Sequence, residues 1–416
     1  MRLIVEGGLR TRHPDWEGTW IKAEIWRAAR ARRINVISRI VLVVLVGMAC
    51  ACPFAAGAAN AITRRTTVTI DKQSFLINGE PTYKGRVFEG VKVEGLLLNA
   101  RMVQGIFDDS NPETRGMWAY PDGTAFDAER NTREFVAAMP EWRRWGLVSF
   151  TINLQGGSPQ GYSKAQPWHN SAFTETGELR PEYLGRLERI LDRADELGMA
   201  PIVGLFYFGQ AKRLRDEAAV VRATENTVDW LTARGYANVL VEVANEANQA
   251  GYPAILRPAR AAELIELVKR RSAAGRVKNA AGRLYVSTSL TGGQVPGETI
   301  TRNADFLLLH GNGQGQPARI RDMVKRTRAA AGYRGQPILF NEDDHFAFDK
   351  AENNFTAAVA EGAGWGYFDY RQKGEGFDEG YQSVPVNWGM SSERKRGFFE
   401  LLGRITGAKE KEHADR

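Results

Sequence analysis

The sequence predicts an α/β fold in which eight parallel strands close into a (β/α)8 barrel, the TIM barrel. From Leu96 onward, short apolar runs alternate with longer segments of helical periodicity, as in repeated βα units. Eight such runs spread over about 310 residues fit one closed barrel better than an open sheet. No G-x-G-x-x-G follows the first run, which disfavours a dinucleotide-binding fold. We therefore expect one barrel domain over residues 62–416.

A short β ribbon is predicted ahead of the barrel, in residues 66–81. Val68, Ile70, Phe75 and Ile77 alternate with polar residues, and an Asn-Gly turn dipeptide follows. We expect this ribbon to close the bottom of the barrel.

The barrel strands and helices are predicted from the same periodicity. Strands are expected near residues 97–106, 147–154, 200–207, 238–244, 283–289, 304–310, 336–341 and 364–369. Helices are expected near residues 128–145, 181–198, 217–234, 258–273, 318–331, 350–361 and 391–405. The connection between the fifth and sixth strands is too short for a full helix.

Charge and cysteine content exclude several classes of function. The first 61 residues hold nine basic and four acidic residues, whereas the rest of the chain holds 47 basic and 45 acidic residues. Most of the net charge of +7 therefore precedes the barrel. This balance argues against a nucleic-acid partner. Both cysteines, Cys50 and Cys52, also precede the barrel, which excludes disulfides, zinc-thiolate sites and cysteine nucleophiles from it.

Residues 1–61 are predicted to be a targeting segment. Arginines precede the apolar run 40–59, and Ala59-Asn60-Ala61 fits a signal-peptidase site. The prediction is a secreted or periplasmic protein without stable membrane insertion. A retained membrane anchor facing outward is the alternative, and a lipoprotein linked through Cys50 or Cys52 is a weaker one. The oligomeric state stays open.

Two glutamates stand where apolar strands end. Glu246 follows V-E-V-A-N on the fourth predicted strand, and Glu342 follows P-I-L-F-N on the seventh. Barrel enzymes keep their chemistry at the carboxyl ends of strands, so the two side chains should meet over one mouth. A pair of carboxyl groups is what glycosidic bond cleavage requires.

The strand around Glu246 resembles a known signature. Val-Glu-Val-Ala-Asn-Glu-Ala-Asn is similar to the strand-four motif of clan A glycoside hydrolases, particularly the family 5 cellulase-like pattern Y-E-I-x-N-E-P. The resemblance covers roughly residues 66–405. It implies that Glu246 is the acid/base, that Asn245 binds the sugar 2-hydroxyl and that Glu342 is the nucleophile of a retaining enzyme. It also implies a carbohydrate substrate and no cofactor.

The chain departs from the family 5 pattern on strands two, three and six, and also on strand eight, where Phe368 stands in place of a sugar-stacking tryptophan. The family's strand-two arginine falls on Thr151, and Arg101 or Asn153 is expected to replace it. The strand-three histidine is missing, and Tyr207 at the end of that strand is a candidate substrate contact. Asn312 stands where a tyrosine would hold the nucleophile. These changes predict a substrate other than that of a plain cellulase or mannanase.

Four further residues are candidate substrate contacts. His310, at the end of the sixth strand, matches a histidine common in the clan and could bind substrate or orient a carboxylate, although a core histidine is the alternative. Gly364-Trp365-Gly366-Tyr367-Phe368 resembles G-W-x-Y-W, so Trp365 and Phe368 offer aromatic faces to a sugar ring. Asp108, after the first strand, could bind sugar hydroxyls or be a solvated loop residue.

The long loop 155–180 is predicted to be a sugar-facing lid, carrying Tyr162, Trp168 and His169. Glu242 should point into the barrel as a buried support.

Three alternatives to a retaining hydrolase remain at this point. The barrel could bind glycans without catalysis, or it could be a transglycosylase with the same two glutamates. A metal site is the third, although its four residues lack recognisable ligand spacing: His310, Asp343, Asp344 and His345.

Overall fold

The computed structural model describes residues 63–163 and 165–408, and this part of the chain begins with two small antiparallel sheets. The predicted ribbon is present as β1 (Val68–Asp71), β2 (Ser74–Ile77) and β3 (Glu80–Pro81). A two-stranded hairpin follows, with β4 (Val87–Phe88) and β5 (Val91–Lys92).

Eight parallel strands then form the barrel, which confirms the predicted fold class. They are β6 (Asn99–Arg101), β7 (Ser149–Asn153), β8 (Ile202–Tyr207), β9 (Leu240–Asn245), β10 (Tyr285–Ser287), β11 (Leu307–His310), β12 (Ile338–Glu342) and β13 (Gly366–Tyr367). The pairing order β10-β9-β8-β7-β6-β13 accounts for six strands, and β11 pairs with β12. Parallel bridges at Leu339–Gly364 and Asp343–Tyr367 connect β12 to β13. Between β10 and β11, Asp305 N donates to Val286 O (2.9 Å), so the ring closes.

Helices connect the strands, as expected for βα units. They are α1 (Ala128–Arg144), α2 (Pro181–Glu196), α3 (Phe208–Ala211), α4 (Glu217–Ala233), α5 (Ala261–Ala274), α6 (Glu298–Asn303), α7 (Pro317–Ala329), α8 (Asn354–Ala360) and α9 (Glu393–Thr406). The helix between β10 and β11 has only six residues, in agreement with the short connection in the sequence.

An apolar layer fills the barrel at the amino ends of the strands. Phe75 of the ribbon is buried there and its ring lies 6.0 Å from that of Phe306. The ribbon is held in place by Val68 N, which donates to Ala237 O (2.9 Å). The ribbon therefore closes this end of the barrel as predicted. The layer consists of Val68, Phe75, Leu97, Val148, Ala200, Ile202, Leu240, Tyr285, Phe306, Leu308 and Leu339.

Towards the carboxyl ends of the strands the barrel interior becomes polar. Because side chains alternate along a strand, the inward positions after the apolar layer carry amides, hydroxyls and charges. Gly204 is required here, since an added Cβ would overlap the side chain of Asn153. The buried polar residues on these strands are Asn99, Arg101, Thr151, Asn153, Glu242, Asn245, Ser287, His310, Asn341 and Glu342.

The predicted targeting segment, with Cys50 and Cys52, lies outside the described residues. Within residues 63–163 and 165–408, none of the helices is both long and apolar enough to cross a bilayer.

Candidate active site

Glu246 and Glu342 meet at the carboxyl end of the barrel. Glu246 directly follows β9 and Glu342 ends β12. One oxygen of each carboxylate and one ring nitrogen of His310 all lie within 4.8 Å of one another. Both glutamates are nearly covered, with 8% of Glu246 and 5% of Glu342 exposed. The two acidic groups predicted from distant parts of the chain thus share one small site.

Arg101 of β6 neutralises Glu342. Its Nε lies 2.8 Å from Glu342 Oε2 in an ion pair between two buried groups. The same guanidinium donates to Asn245 Oδ1 (2.8 Å), and Asn312 Nδ2 donates to Glu342 Oε1 (2.6 Å). Of the two residues expected to replace the missing family arginine, Arg101 is the one that contacts Glu342. Asn312 contacts Glu342 from the position where the family pattern has a tyrosine.

His310 connects the two carboxylates. Its Nδ1 lies 3.2 Å from Glu246 Oε1 and 3.5 Å from Glu342 Oε2, and its ring is completely buried. Burial would lower the pKa of His310, but the negative charges of Glu342 and Glu246 outweigh this effect and raise the pKa above its usual 6.5. The two acids therefore both favour uptake of a proton by the imidazole.

The pKa values of the two glutamates move in opposite directions. Burial raises the pKa of Glu342 above 4.5, even though Arg101 and His310 act against this shift. Burial also acts to raise the pKa of Glu246, but the hydrogen bond and charge of His310 and the hydrogen bond from Gln249 lower it below 4.5. These values belong to the pair, because the two acids and His310 share their protons. Glu342 is thus the carboxyl group of the two that takes up a proton more readily.

The backbone of Glu246 is in the left-handed region, with φ of 53°. This conformation is uncommon outside glycine and costs free energy when a large side chain adopts it. The turn is held by Glu246 N, which donates to Ser289 Oγ (2.9 Å), and by Gln249 N, which donates to Glu246 O (2.8 Å). Gln249 Nε2 also donates to Glu246 Oε2 (2.8 Å). Contacts from two directions therefore fix the carboxylate at the barrel mouth.

Three of the other predicted residues lie around this pair. Asn245 accepts from Arg101, as described, and is 3% exposed. Burial and the negative charges of Glu342 and Glu246 raise the pKa of Tyr207 at the end of β8, so its phenol stays protonated. Asn153 on β7 is buried, and neither atom of its amide has a protein partner within the described residues. Its amide is free to bind another polar group.

The predicted aromatic contacts differ in their surroundings. Trp365 is fully buried, stacks on Phe355 (4.7 Å) and donates to Asp343 Oδ2 (2.9 Å), so its ring faces protein on all sides. Phe368 is also buried and is covered by the ring of Tyr162 at 5.7 Å. Tyr162, from the long loop, is 56% exposed and donates to Asp344 Oδ2 (2.9 Å). A residue of the predicted lid therefore lies against Phe368, which directly follows β13.

Asp108 and the other loop residues have different partners. Asp108 lies 3.5 Å from Arg186 of α2 and 4.0 Å from Arg115, so its ion pairs are with arginines away from the glutamate pair. Trp168 is buried against Trp118, with ring centroids 5.8 Å apart. The four residues of the alternative metal set fall into two groups, since His310 lies with the glutamates and the other three lie together.

The structure adds supporting residues that sequence reasoning missed. Gln249 and Ser289 hold Glu246, and Asp343 supports the end of β12 by accepting from His345 Nδ1 (2.6 Å), Asn354 and Trp365. In the sequence, the position of Gln249 three residues after Glu246 was the one available sign of a contact between them. Glu242 is buried as predicted and accepts from Asn341 Nδ2 (3.4 Å).

Several solved structures resemble this chain. A GH5-4 broad-specificity endoglucanase from Bacteroides salanitronis is 12% identical and aligns with a TM-score of 0.48 over 78% of this chain and 98% of its own. A glycoside hydrolase family 5 mannosidase from Rhizomucor miehei is 11% identical, with a TM-score of 0.49 over 84% and 99%. An exo-β-1,4-mannosidase from Opitutaceae bacterium strain TAV5 is 16% identical, with a TM-score of 0.46 over 82% and 62%. The sequence matches no protein-family model and no curated protein.

Proposed function

We propose that this protein is a retaining glycoside hydrolase, in which Glu342 is the nucleophile and Glu246 is the acid/base. The observation that carries the proposal is the approach of the two carboxylates to within 4.8 Å. Retaining enzymes hold these groups about 5 Å apart, whereas inverting enzymes need roughly 6.5–9.5 Å to admit a water molecule. The short distance therefore favours double displacement.

The surroundings of each glutamate support its role. Glu342 lies beside Arg101, whose charge is permanent, and this favours a carboxylate that attacks carbon. Glu246 Oε1 lies 3.2 Å from Nδ1 of His310, a side chain that can itself take up and release a proton. A carboxyl group that must give and regain a proton is better placed next to a titrating group than next to an arginine.

The reaction then proceeds in two balanced steps. The Glu342 carboxylate attacks the anomeric carbon as the glycosidic C–O bond breaks, and Glu246 gives its proton to the leaving oxygen. Water next attacks the same carbon, Glu246 takes the proton from that water, and the bond to Glu342 breaks. The sugar leaves with its original anomeric configuration.

Substitution of either glutamate tests the function. Glu246→Gln and Glu342→Gln should each lower turnover of activated aryl glycosides by at least about 10²-fold, while Glu263→Gln, an exposed glutamate on α5, should not change it. Binding of glycans that persists with no turnover in the unsubstituted protein would instead indicate a non-catalytic glycan-binding barrel. Accumulation of longer glycosides rather than free sugar would indicate a transglycosylase.

Azide distinguishes the two roles. In Glu246→Ala, azide should replace water and yield a glycosyl azide with the configuration of the substrate. In Glu342→Ala, azide should attack directly and yield the opposite anomer. The reverse pattern would exchange the roles, which the raised pKa of Glu342 and the lowered pKa of Glu246 would then explain.

A further inference from the structure

A cavity opens on the same face of the barrel as the glutamate pair. Its volume is about 430 Å³, within the range of small-ligand sites. All of its lining residues belong to the loops that follow β7 and β8, that is, to residues 155–180 and 213–214. Barrel enzymes bind their substrates with loops of this face. We call it the basic cavity, and it is lined among others by His169, Arg180 and Arg213.

The basic cavity has more positive than negative charge. Among the described residues, neither Arg180 nor Arg213 forms an ion pair with a carboxylate. Glu175 is the acidic residue of the lining, and it already pairs with Arg215 at 2.8 Å. The pKa of His169 is lowered by burial and by the charges of Arg213 and Arg180, although the negative charge of Asp109 opposes the shift. The effect of the two arginines outweighs that of the one carboxylate.

Both arginines are held by the protein without using all of their donors. Arg213 donates through one terminal nitrogen to Pro167 O (3.2 Å) and Trp168 O (2.9 Å), while its buried Nε has no acceptor within the described residues. Arg180 donates through Nε to Phe173 O (3.1 Å). The guanidinium groups are therefore positioned in advance, with donors left over.

The place of Arg180 in the fold adds to the positive potential. Arg180 is the N-cap residue of the sixteen-residue helix α2, and its side chain does not cap the helix. Backbone N–H groups make a helix N-terminus positive, so a cation is unfavourable there and an anion is favourable. Glu182 in the first turn offsets part of this charge but is exposed and does not line the cavity.

The basic cavity is connected to the glutamate pair by short contacts. Gln155 lines it and accepts from Tyr207 N (3.2 Å), while Gln155 Nε2 donates to Ser171 Oγ (3.1 Å). The pKa of Tyr207 responds to the charges of both glutamates. Tyr207 is thus a residue that contacts the lining of the cavity through its backbone and feels the charge of the glutamate pair.

We propose that the basic cavity binds an anionic group of the glycan, either the carboxylate of a uronic acid or a sulfate ester, through Arg180 and Arg213. Arginine pairs with both kinds of oxyanion through two parallel hydrogen bonds. The inference rests on the proposed function, since it names the class of glycan that the hydrolase accepts. It also agrees with the departures from the cellulase-like motifs, which predict a different substrate.

Direct binding tests the basic cavity independently of turnover. Calorimetric titrations would compare three trisaccharides: trigalacturonate, neutral galactotriose and a sulfated galactotriose. We expect one of the acidic sugars to bind at least about tenfold more tightly than the neutral one, as for a hydrogen bond to a charged group. The acidic sugar that binds more tightly shows whether the cavity accepts a carboxylate or a sulfate ester.

Matched variants test whether Arg180 and Arg213 cause the preference for the acidic sugar. Arg180→Gln and Arg213→Gln should each remove most of the preference for the acidic sugar, Arg180→Lys and Arg213→Lys should keep part of it, and Arg321→Gln on α7 should keep all of it. Circular dichroism checks that each variant folds.

Equal affinity for acidic and neutral sugars, or a preference unaffected by the glutamine variants, would overturn the inference. An intact preference without hydrolysis would refute only the proposed function, and hydrolysis of neutral glycosides without a preference would refute only this inference.

Discussion

The two ends of the barrel are built from the same eight strands but from opposite kinds of side chain. At the amino ends, Phe75 of the ribbon and the first inward residue of most strands form a closed apolar layer. At the carboxyl ends, the next inward positions bury Arg101, Glu242, His310 and Glu342, and several of their polar atoms have no protein partner among the described residues. Burying such groups opposes folding, whereas burying apolar surface favours it. The comparison indicates that stability is concentrated at one end and chemistry at the other.

The largest expected effect is on stability, at the apolar end. Phe75→Ala removes a buried ring that packs against Phe306, so the free energy of unfolding should fall by about 3–5 kcal/mol. Because the ribbon lies far along the strands from the glutamates, kcat at a temperature where the variant is folded should stay near the original value. Urea unfolding and aryl-glycoside kinetics measure the two quantities. Val87→Ala, at an exposed position, is the control, and a parallel loss of kcat would show that the two ends are not independent.

The next largest effect is on activity, at the polar end. Arg101→Gln removes the charge beside Glu342, and kcat/KM should fall by about 10²-fold, as for loss of one positioned donor in an active site. Arg101 lowers the pKa of Glu342, so its removal should also shift the acidic limb of the pH profile to higher pH. Arg101→Lys keeps the charge but loses the planar guanidinium that contacts Glu342 and Asn245 together, and should be intermediate. An unchanged acidic limb would contradict the assignment of that limb to Glu342.

The smallest effect is the pH dependence that His310 gives to stability. Its folded pKa is raised above 6.5, so its contribution is complete below pH 6.5 and is lost as pH rises through the folded value. The difference in unfolding free energy between the unsubstituted protein and His310→Gln should therefore shrink from pH 6 to pH 9. Urea titrations at several pH values measure this difference. A difference that grows with pH would mean that His310 is neutral in the folded protein.

The fold could be predicted from the sequence because the barrel depends on a repeated local pattern. All eight strands lie where the apolar runs predicted them, but the first is much shorter than expected, at Asn99–Arg101. The apolar residues that follow it lie in a buried turn, although their composition is that of a strand; they are Met102, Val103 and Ile106. The helix α8 begins later than expected because Asn353 forms a capping box with Thr356.

The candidate site could be predicted only in part. The positions of Glu246 and Glu342 followed from strand ends, which are visible in the sequence. The contact of Arg101 with Glu342 was left open against Asn153, because strand pairing alone does not say which side chain reaches across the barrel. Trp365 was placed by its motif near the substrate, whereas the structure shows a core residue that donates to Asp343. Contacts between distant segments, such as that of Ser289 with Glu246, leave no local pattern.

At Glu246 the left-handed backbone favours glycine, whereas the proposed catalytic role requires a carboxylate. Glycine would adopt φ of 53° without strain and would remove one of two neighbouring buried acids. Random substitution selected only for heat resistance would therefore favour loss of this side chain. A glutamate at this position is therefore explained by the proposed reaction and not by the backbone conformation.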